Sequence, residues 1–265
     1  QAVSNQPPEL NVELLSVKKG EVAFSVTPTG NAVKGYRVYR DGKRIETLQT
    51  AGTYTDYVVK GTYEYEFASI RNDGTESALS VSITVSVPDP DYKDLSANAW
   101  YMREIVYLSS QGIVSGYNNG TIQPDKTITR AEATVMLGRA LHLDGTKRVT
   151  VFRDVSSSDF ASGYIQAAYE RGLINGYPDG TFRPQQPITR AETAIILSRA
   201  YPLPNGSSVM FKDVTTRVTG HEAIAKLASA RITEGYPDGT FRPYQFVKRL
   251  EFFVFTARAA NERFR

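Results

Sequence analysis

The stretch Gly176-Tyr177-Pro178-Asp179-Gly180-Thr181-Phe182-Arg183-Pro184 returns letter for letter at residues 235–243. A looser form, Gly116-Tyr117-Asn118-Asn119-Gly120-Thr121-Ile122-Gln123-Pro124, precedes both. Each is followed by one short string: Ile128-Thr129-Arg130-Ala131-Glu132, Ile188-Thr189-Arg190-Ala191-Glu192 and Val247-Lys248-Arg249-Leu250-Glu251. Arg130 and Arg190 lie 60 residues apart, and Arg190 and Arg249 lie 59 apart. A period this regular means three copies of one structural unit.

Within each copy the order of elements is readable. Asp94, Asp154 and Asp213 stand before a first helix whose apolar residues fall at helical spacing: Tyr101, Ile105 and Leu108, then Ile165, Ala168 and Tyr169, then Ile224, Leu227 and Ala228. Gly112 and Gly172 suit a left-handed cap at the helix end, and Arg231 replaces them in the third copy. Pro178-Asp179-Gly180 and Pro237-Asp238-Gly239 are turn chemistry. The Phe-Arg-Pro that follows predicts a brief extended piece. Thr129-x-x-Glu132 and Thr189-x-x-Glu192 then match the capping box that opens a second helix.

The capping box leaves the arginine unexplained. A cation in the first helical turn opposes the helix dipole, yet Arg130, Arg190 and Arg249 sit there in all three copies. Two things offset such a cost. One is an anion held between free helix-start amides and the guanidinium. The other is an internal carboxylate, such as the turn aspartate. Arg139, Arg199 and Arg258 recur at the far end of the same helix, where they complement the dipole.

Residues 8–88 read differently, as short alternating runs broken by turn residues. Leu10-Val12-Leu14, Val22-Phe24-Val26, Tyr36–Arg40 with the hairpin signal Asp41-Gly42, residues 53–57, Tyr63-Tyr65-Phe67 and residues 79–87 predict about seven strands in an immunoglobulin-like sandwich. This part resembles a bacterial fibronectin type III module, with Phe24 where a tryptophan is common and Tyr63 or Tyr65 as a corner tyrosine. Its expected role is spacer and support. The aromatics Tyr36, Tyr39 and Tyr54 read first as core and second as a carbohydrate-contact surface, and Trp100 and Phe160 at the helix starts read first as core and second as rings for stacking on a sugar face. Pro88 and Pro90 make residues 89–93 a stiff linker that spaces the two parts.

The 265 residues hold no cysteine, which removes disulfide scaffolds and thiolate metal sites. His142 and His221 stand outside any nucleophile or zinc motif, and the Asp-Gly turns lack a calcium-loop ladder. Residues 1–90 carry 9 basic against 11 acidic side chains, and residues 91–265 carry 22 against 17. That mild cationic bias falls short of a nucleic-acid binder and suits a modestly anionic partner. No apolar run is long enough to span a bilayer. The chain begins at Gln1, which reads as a mature or excised fragment.

The Gly-Tyr-Pro-Asp-Gly-Thr-Phe-Arg-Pro and Ile-Thr-Arg-Ala-Glu strings resemble S-layer homology domains, with copies at residues 94–150, 151–210 and 211–265. The resemblance implies a mainly helical pseudo-threefold trimer, a central bundle with outward prongs. It also implies a secreted, non-enzymatic protein of the cell envelope, anchored to secondary cell wall polysaccharide through pyruvylated N-acetylmannosamine. The implied ligand grooves lie between repeats, with Arg130, Arg190 and Arg249 as recognition residues. Arginine binds a pyruvate-ketal carboxylate in a bidentate way. Asn119, Asp179 and Asp238 are candidates for sugar hydroxyls or simply cap their own turns, and Glu132, Glu192 and Glu251 complete the expected site. No metal or cofactor is expected. The alternative reading is a self-association module that pairs with other surface proteins.

Overall fold

The computed structural model describes Gln6, residues 8–206 and residues 211–265. The chain divides into two compact units, residues 1–110 and residues 111–265.

The first unit is built on seven strands: β1 (Leu10–Lys18), β2 (Glu21–Pro28), β3 (Val33–Arg40), β4 (Lys43–Leu48), β5 (Gly52–Tyr57), β6 (Gly61–Arg71) and β7 (Ile83–Val87). They form two antiparallel sheets, ordered β1-β2-β5 and β4-β3-β6-β7. Alternation decides which side chains face inward. Val22, Phe24 and Val26 of β2 are buried, and Phe24 meets Tyr65 and Phe67 of β6 with ring centroids 4.9 and 5.2 Å away. Each such ring contributes about 1.5–3 kcal/mol by leaving water. Phe24 therefore fills the expected core place. Tyr63 is the corner tyrosine, its hydroxyl donating to Val59 O at 2.9 Å. Tyr36 and Tyr54 are core, while Tyr39 donates to Glu76 at 2.6 Å instead. The expected strand over 79–87 is shorter. Ser80 binds Phe67 through its own N–H and its hydroxyl, and regular pairing begins only at Ile83.

The proline-bounded linker is tied to the sandwich by a backbone hydrogen bond. Lys60 N donates to Pro90 O at 2.8 Å, and helix α1 (Met102–Ser110) packs on β5 and β2 within the same unit. Gly20 is glycine because a Cβ there would lie 2.5 Å from Val106 Cγ1. Tyr107 meets Tyr57 edge-on at 5.4 Å. Beneath them Asp56, fully buried, pairs with Arg40 at 2.5 Å and Arg103 at 3.1 Å, and Tyr65 donates to it at 2.9 Å. That contact pushes the Tyr65 hydroxyl pKa far up, first by burial and then by the Asp56 charge.

The second unit carries α2 (Arg130–Ala140), α3 (Ser162–Glu170), α4 (Arg190–Ala200), α5 (His221–Ser229), α6 (Arg249–Ala260) and a 3-10 turn at Glu262–Phe264. The predicted inner residues hold for Ile165, Ala168, Ile224 and Leu227, whereas Tyr169 is exposed. Helix α2 packs on α3 and α4 on α5, so the second helix of one repeat meets the first helix of the next. Gly112 and Gly172 adopt φ of 70° and 68°, as a left-handed cap requires, and Arg231 takes φ 55° in their place. Just before α2, α4 and α6 three hydrogen bonds form a closed ring. Ile128 N donates to Val247 O, Val247 N to Ile188 O and Ile188 N to Ile128 O, at 2.9 to 3.1 Å. All three side chains are buried.

The Phe-Arg-Pro segments are not extended. Arg183, Arg242 and Gln123 have φ of 58°, 59° and 50°. The opening aspartates explain this curl. Asp154 accepts from Phe182 N and Arg183 N at 2.7 and 2.8 Å, and Asp213 does the same for Phe241 and Arg242.

Replacing Asp56 with alanine strands two guanidinium groups without their shared anion. We expect a loss of about 3–5 kcal/mol in the unfolding free energy, measured by denaturant titration.

Candidate functional site

Each helix-start arginine reaches out of its own repeat. Arg130 Nε donates to Phe182 O at 2.9 Å, Nη1 to Glu192 Oε1 at 2.8 Å and Nη2 to Asn175 O at 3.2 Å. Arg190 donates to Phe241 O at 2.6 Å and to Glu251 Oε1 at 2.5 Å. Arg249 closes the cycle on Ile122 O at 2.9 Å and Glu132 Oε1 at 3.4 Å. The three residues are 8%, 3% and 5% exposed. Aromatic faces cover them as well: Tyr177 and Phe182 lie 5.1 and 4.7 Å from the Arg130 guanidinium, and Tyr236 and Phe241 lie 4.9 and 4.5 Å from that of Arg190. Of the two ways to offset an unfavourable cation, the protein uses an internal carboxylate. It is the neighbour's capping glutamate, not the turn aspartate.

The glutamates divide their oxygens between two tasks. Glu192 Oε2 accepts from Thr189 N at 2.8 Å, completing the capping box, while Oε1 takes Arg130. Glu132 does likewise with Thr129 N and Arg249, and Tyr117 adds a hydroxyl at 3.1 Å. In the third copy Lys248 has no acceptor to offer, so only the Glu251 half of the box survives, at 3.2 Å.

The expectation of free helix-start amides is corrected. Arg130 N and Ala131 N donate to Gln186 O and Pro184 O, Arg190 N and Ala191 N to Gln245 O and Pro243 O, and Arg249 N and Leu250 N to Lys126 O and Pro124 O. Carbonyls of the neighbouring repeat have taken the place an anion would fill.

Asn119, Asp179 and Asp238 cap their own turns. Asp179 Oδ1 accepts from Thr181 N at 3.0 Å and Thr181 Oγ1 at 2.6 Å, and Oδ2 pairs with Arg183 at 3.2 Å. Asn119 holds Thr121 in the same way, and Asp238 holds Thr240 and Arg242. Arg183 and Arg242 lie over Tyr177 and Tyr236, with the guanidinium carbon 3.8 Å from the ring centroid in both. The threonine hydroxyl, ahead of the backbone amide, draws the Asp179 pKa from 3.8 to about 2. The Thr240 hydroxyl, followed by Arg242, does the same for Asp238.

Two clefts open beside the arginines. One, of about 240 Å³, is lined by Arg130, Asn175, Tyr177, Glu192, Arg199 and Thr219 among others. The second, of about 190 Å³, is lined by Ser115, Tyr117, Glu132, Arg139, Phe160 and Arg249 among others. None of Asn119, Asp179 and Asp238 lines either one, and Arg190 and Glu251 line neither. Phe160 and Trp100 are not core, at 54% and 68% exposed, and Phe160 forms part of the second rim. Arg139 and Arg199 are in the clefts although the sequence explained them by the helix dipole alone; their register with Arg130 and Arg190 was the available signal. A wider hollow of about 550 Å³ on the sandwich is flanked by Arg37, Tyr39 and Arg44. Its carboxylate, Glu76, already binds Arg37 and Tyr39.

The S-layer homology domain model matches residues 91–134, 151–194 and 211–253. The chain thus carries three S-layer homology domains, which are cell-surface anchoring modules. Over 158 residues it is 37% identical to Cell surface glycoprotein 1 of Acetivibrio thermocellus, covering 54% of this chain and 7% of that one. It is also 37% identical over 149 residues to the Cellulosome-anchoring protein of the same organism, covering 52% of this chain and 33% of that one. The chain spans a third or less of these two curated relatives. The fibronectin(III)-like modules of Clostridium thermocellum CbhA align over 29% of this chain and 97% of theirs, at 16% identity and a TM-score of 0.26. The sandwich assignment rests on the strand order itself.

For both turn aspartates the depressed pKa means that the turn's stabilisation is complete above the ordinary carboxylate range. It is lost as pH falls through the folded value. Carboxyl NMR titration is expected to give midpoints near 2 for Asp179 and Asp238. Arg190→Lys, which cannot serve carbonyl and carboxylate together, is expected to cost about 2 kcal/mol in denaturant unfolding.

Proposed function

We propose that the repeats anchor this secreted chain at the cell wall by binding secondary cell wall polysaccharide in the clefts between neighbouring repeats. The preferred ligand is an acidic sugar end of the pyruvylated N-acetylmannosamine type. One observation carries the reading: each of the two open clefts sets two arginines against one glutamate, so each keeps an unbalanced positive charge in a largely apolar, aromatic-edged hollow. A sugar carboxylate matches that charge, and its ring matches a tyrosine or phenylalanine edge.

Within this reading Arg130, Arg249, Glu132 and Glu192 form cleft walls, and Arg190 with Glu251 occupies the equivalent place at the third junction. Asn119, Asp179 and Asp238 contribute by holding the turns that present Tyr117, Tyr177 and Tyr236. We further infer that the repeats assemble as a pseudo-threefold trimer with a central helical bundle and outward prongs. The closed ring through Ile128, Ile188 and Val247 supports that arrangement. The chain has no catalytic role in this scheme, since Glu132 and Glu192 are each committed to a helix cap and a neighbour's arginine. Several clefts on one polymer add avidity.

Sedimentation with purified cell walls tests the proposal. The intact chain is expected to pellet with native walls and to remain in solution with walls chemically stripped of their polysaccharide. Equal binding to stripped walls would favour a protein partner and reject the glycan.

A further inference from the structure

We infer that the hollow on the outer face of the sandwich is a binding site in its own right, and that it takes a saccharide bearing a carboxylate. It belongs to the first unit, so it stands or falls independently of what the repeats bind.

Strand register builds the site. Tyr36 and Val38 of β3 are buried, so by alternation Arg37 and Tyr39 point to the opposite face of the sheet. Arg44 of β4 stands directly across from Tyr39 and shares that face. Glu76, Ala78 and Leu79, from the chain that follows β6, complete the wall. The resulting volume of about 550 Å³ lies inside the range of about 300–1,000 Å³ usual for small-molecule sites.

The charges in the hollow do not balance. Glu76 is 5% exposed and has both oxygens in use, one accepting from Arg37 Nη1 and the other from the Tyr39 hydroxyl at 2.6 Å. Arg37 and Glu76 therefore cancel one another. Burial, ahead of the bond to Glu76, raises the Tyr39 pKa, so the phenol keeps its proton and its oxygen can still accept. Arg44 is exposed, and among the described residues it forms no ion pair and no side-chain hydrogen bond. Glu66, on the far side of Tyr39 in the same cross-strand row, does not line the hollow. The surplus positive charge is that of Arg44.

These features select the ligand. The middle strand β3 is bonded on both edges, to β4 and β6, so a peptide cannot add here as a further strand and side chains must do the reading. The Arg44 fork fits a carboxylate. The Tyr39 oxygen accepts from a hydroxyl. Leu79, 44% exposed, and Ala78 give an apolar side for the C–H face of a ring. A sugar acid presents all three groups on one ring, whereas an acidic peptide side chain lacks the hydroxyls. Of the three tyrosines weighed for carbohydrate contact, Tyr39 is the one outside the core.

The test titrates the whole, isotopically labelled chain with methyl glucuronide and follows the amides of the hollow by NMR. Methyl glucoside and a blocked glutamate dipeptide serve as comparisons. Saturable shifts are expected at Arg37, Tyr39, Arg44 and Leu79 with the glucuronide, with binding of the neutral sugar at least about fivefold weaker and no shift with the dipeptide. Arg44→Gln is expected to weaken glucuronide binding about fivefold or more. Its melting temperature should move by less than about 2 °C, because this side chain holds nothing in the fold. Leu79→Asp, which sets a like charge against the carboxylate, is expected to remove the shifts. Silent amides, equal affinity for the two sugars, unchanged affinity in Arg44→Gln, or binding of the dipeptide overturns the inference. Shifts confined to residues 111–265 overturn it as well and leave the anchoring reading intact.

Discussion

A guanidinium that crosses from one repeat to the next is the contact on which the helical half depends. Taking a cation out of water is costly unless every direction around it is answered by a carboxylate, a carbonyl or a ring face. Arg130, Arg190 and Arg249 are answered in all three ways, and each answer comes from the following repeat. No repeat can satisfy its own arginine. The penalty for leaving it unsatisfied ties the three copies into one cooperative body, where hydrophobic contact alone would specify only proximity.

The capping glutamates make this economical. One oxygen closes the start of the glutamate's own helix and the other receives the foreign arginine, so local helix formation and contact between repeats share an atom group. The third copy shows which function is dispensable. It lacks the threonine half of the cap yet keeps Glu251 on Arg190. The same commitment means that Arg130, Arg190 and Arg249 are already paired where the repeats meet.

Much of this was legible in the letters. The period gave the three copies, Thr129-x-x-Glu132 and Thr189-x-x-Glu192 gave two helix starts, and the glycines gave two helix ends. The oddity of a cation in the first turn marked the right residue. Its partner was not readable, because the glutamate that answers Arg130 lies 62 positions away and looked fully explained by its own cap. Nor were the occupied amides. That Gln186 and Pro184 carbonyls turn onto Arg130 and Ala131 is a property of how the copies meet, not of any local string. The curl at Arg183 and Arg242 was hidden for the same reason, since proline predicted extension and the distant Asp154 and Asp213 overrode it. In the sandwich, Tyr63 and Tyr65 are indistinguishable by pattern, and only the positions of Val59 and Asp56 separate the corner tyrosine from the one bound to acid.

The seating of α1 on the sandwich bears on how the molecule can be divided. The domain match begins at residue 91, ahead of a helix whose Val106, Tyr107 and Arg103 meet Gly20, Tyr57 and Asp56. A fragment trimmed to that boundary keeps the helix and discards the surface on which it rests. It would present to water an apolar flank and a guanidinium whose acid has been cut away. In this chain the border drawn by kinship and the border drawn by cohesion lie about one helix apart.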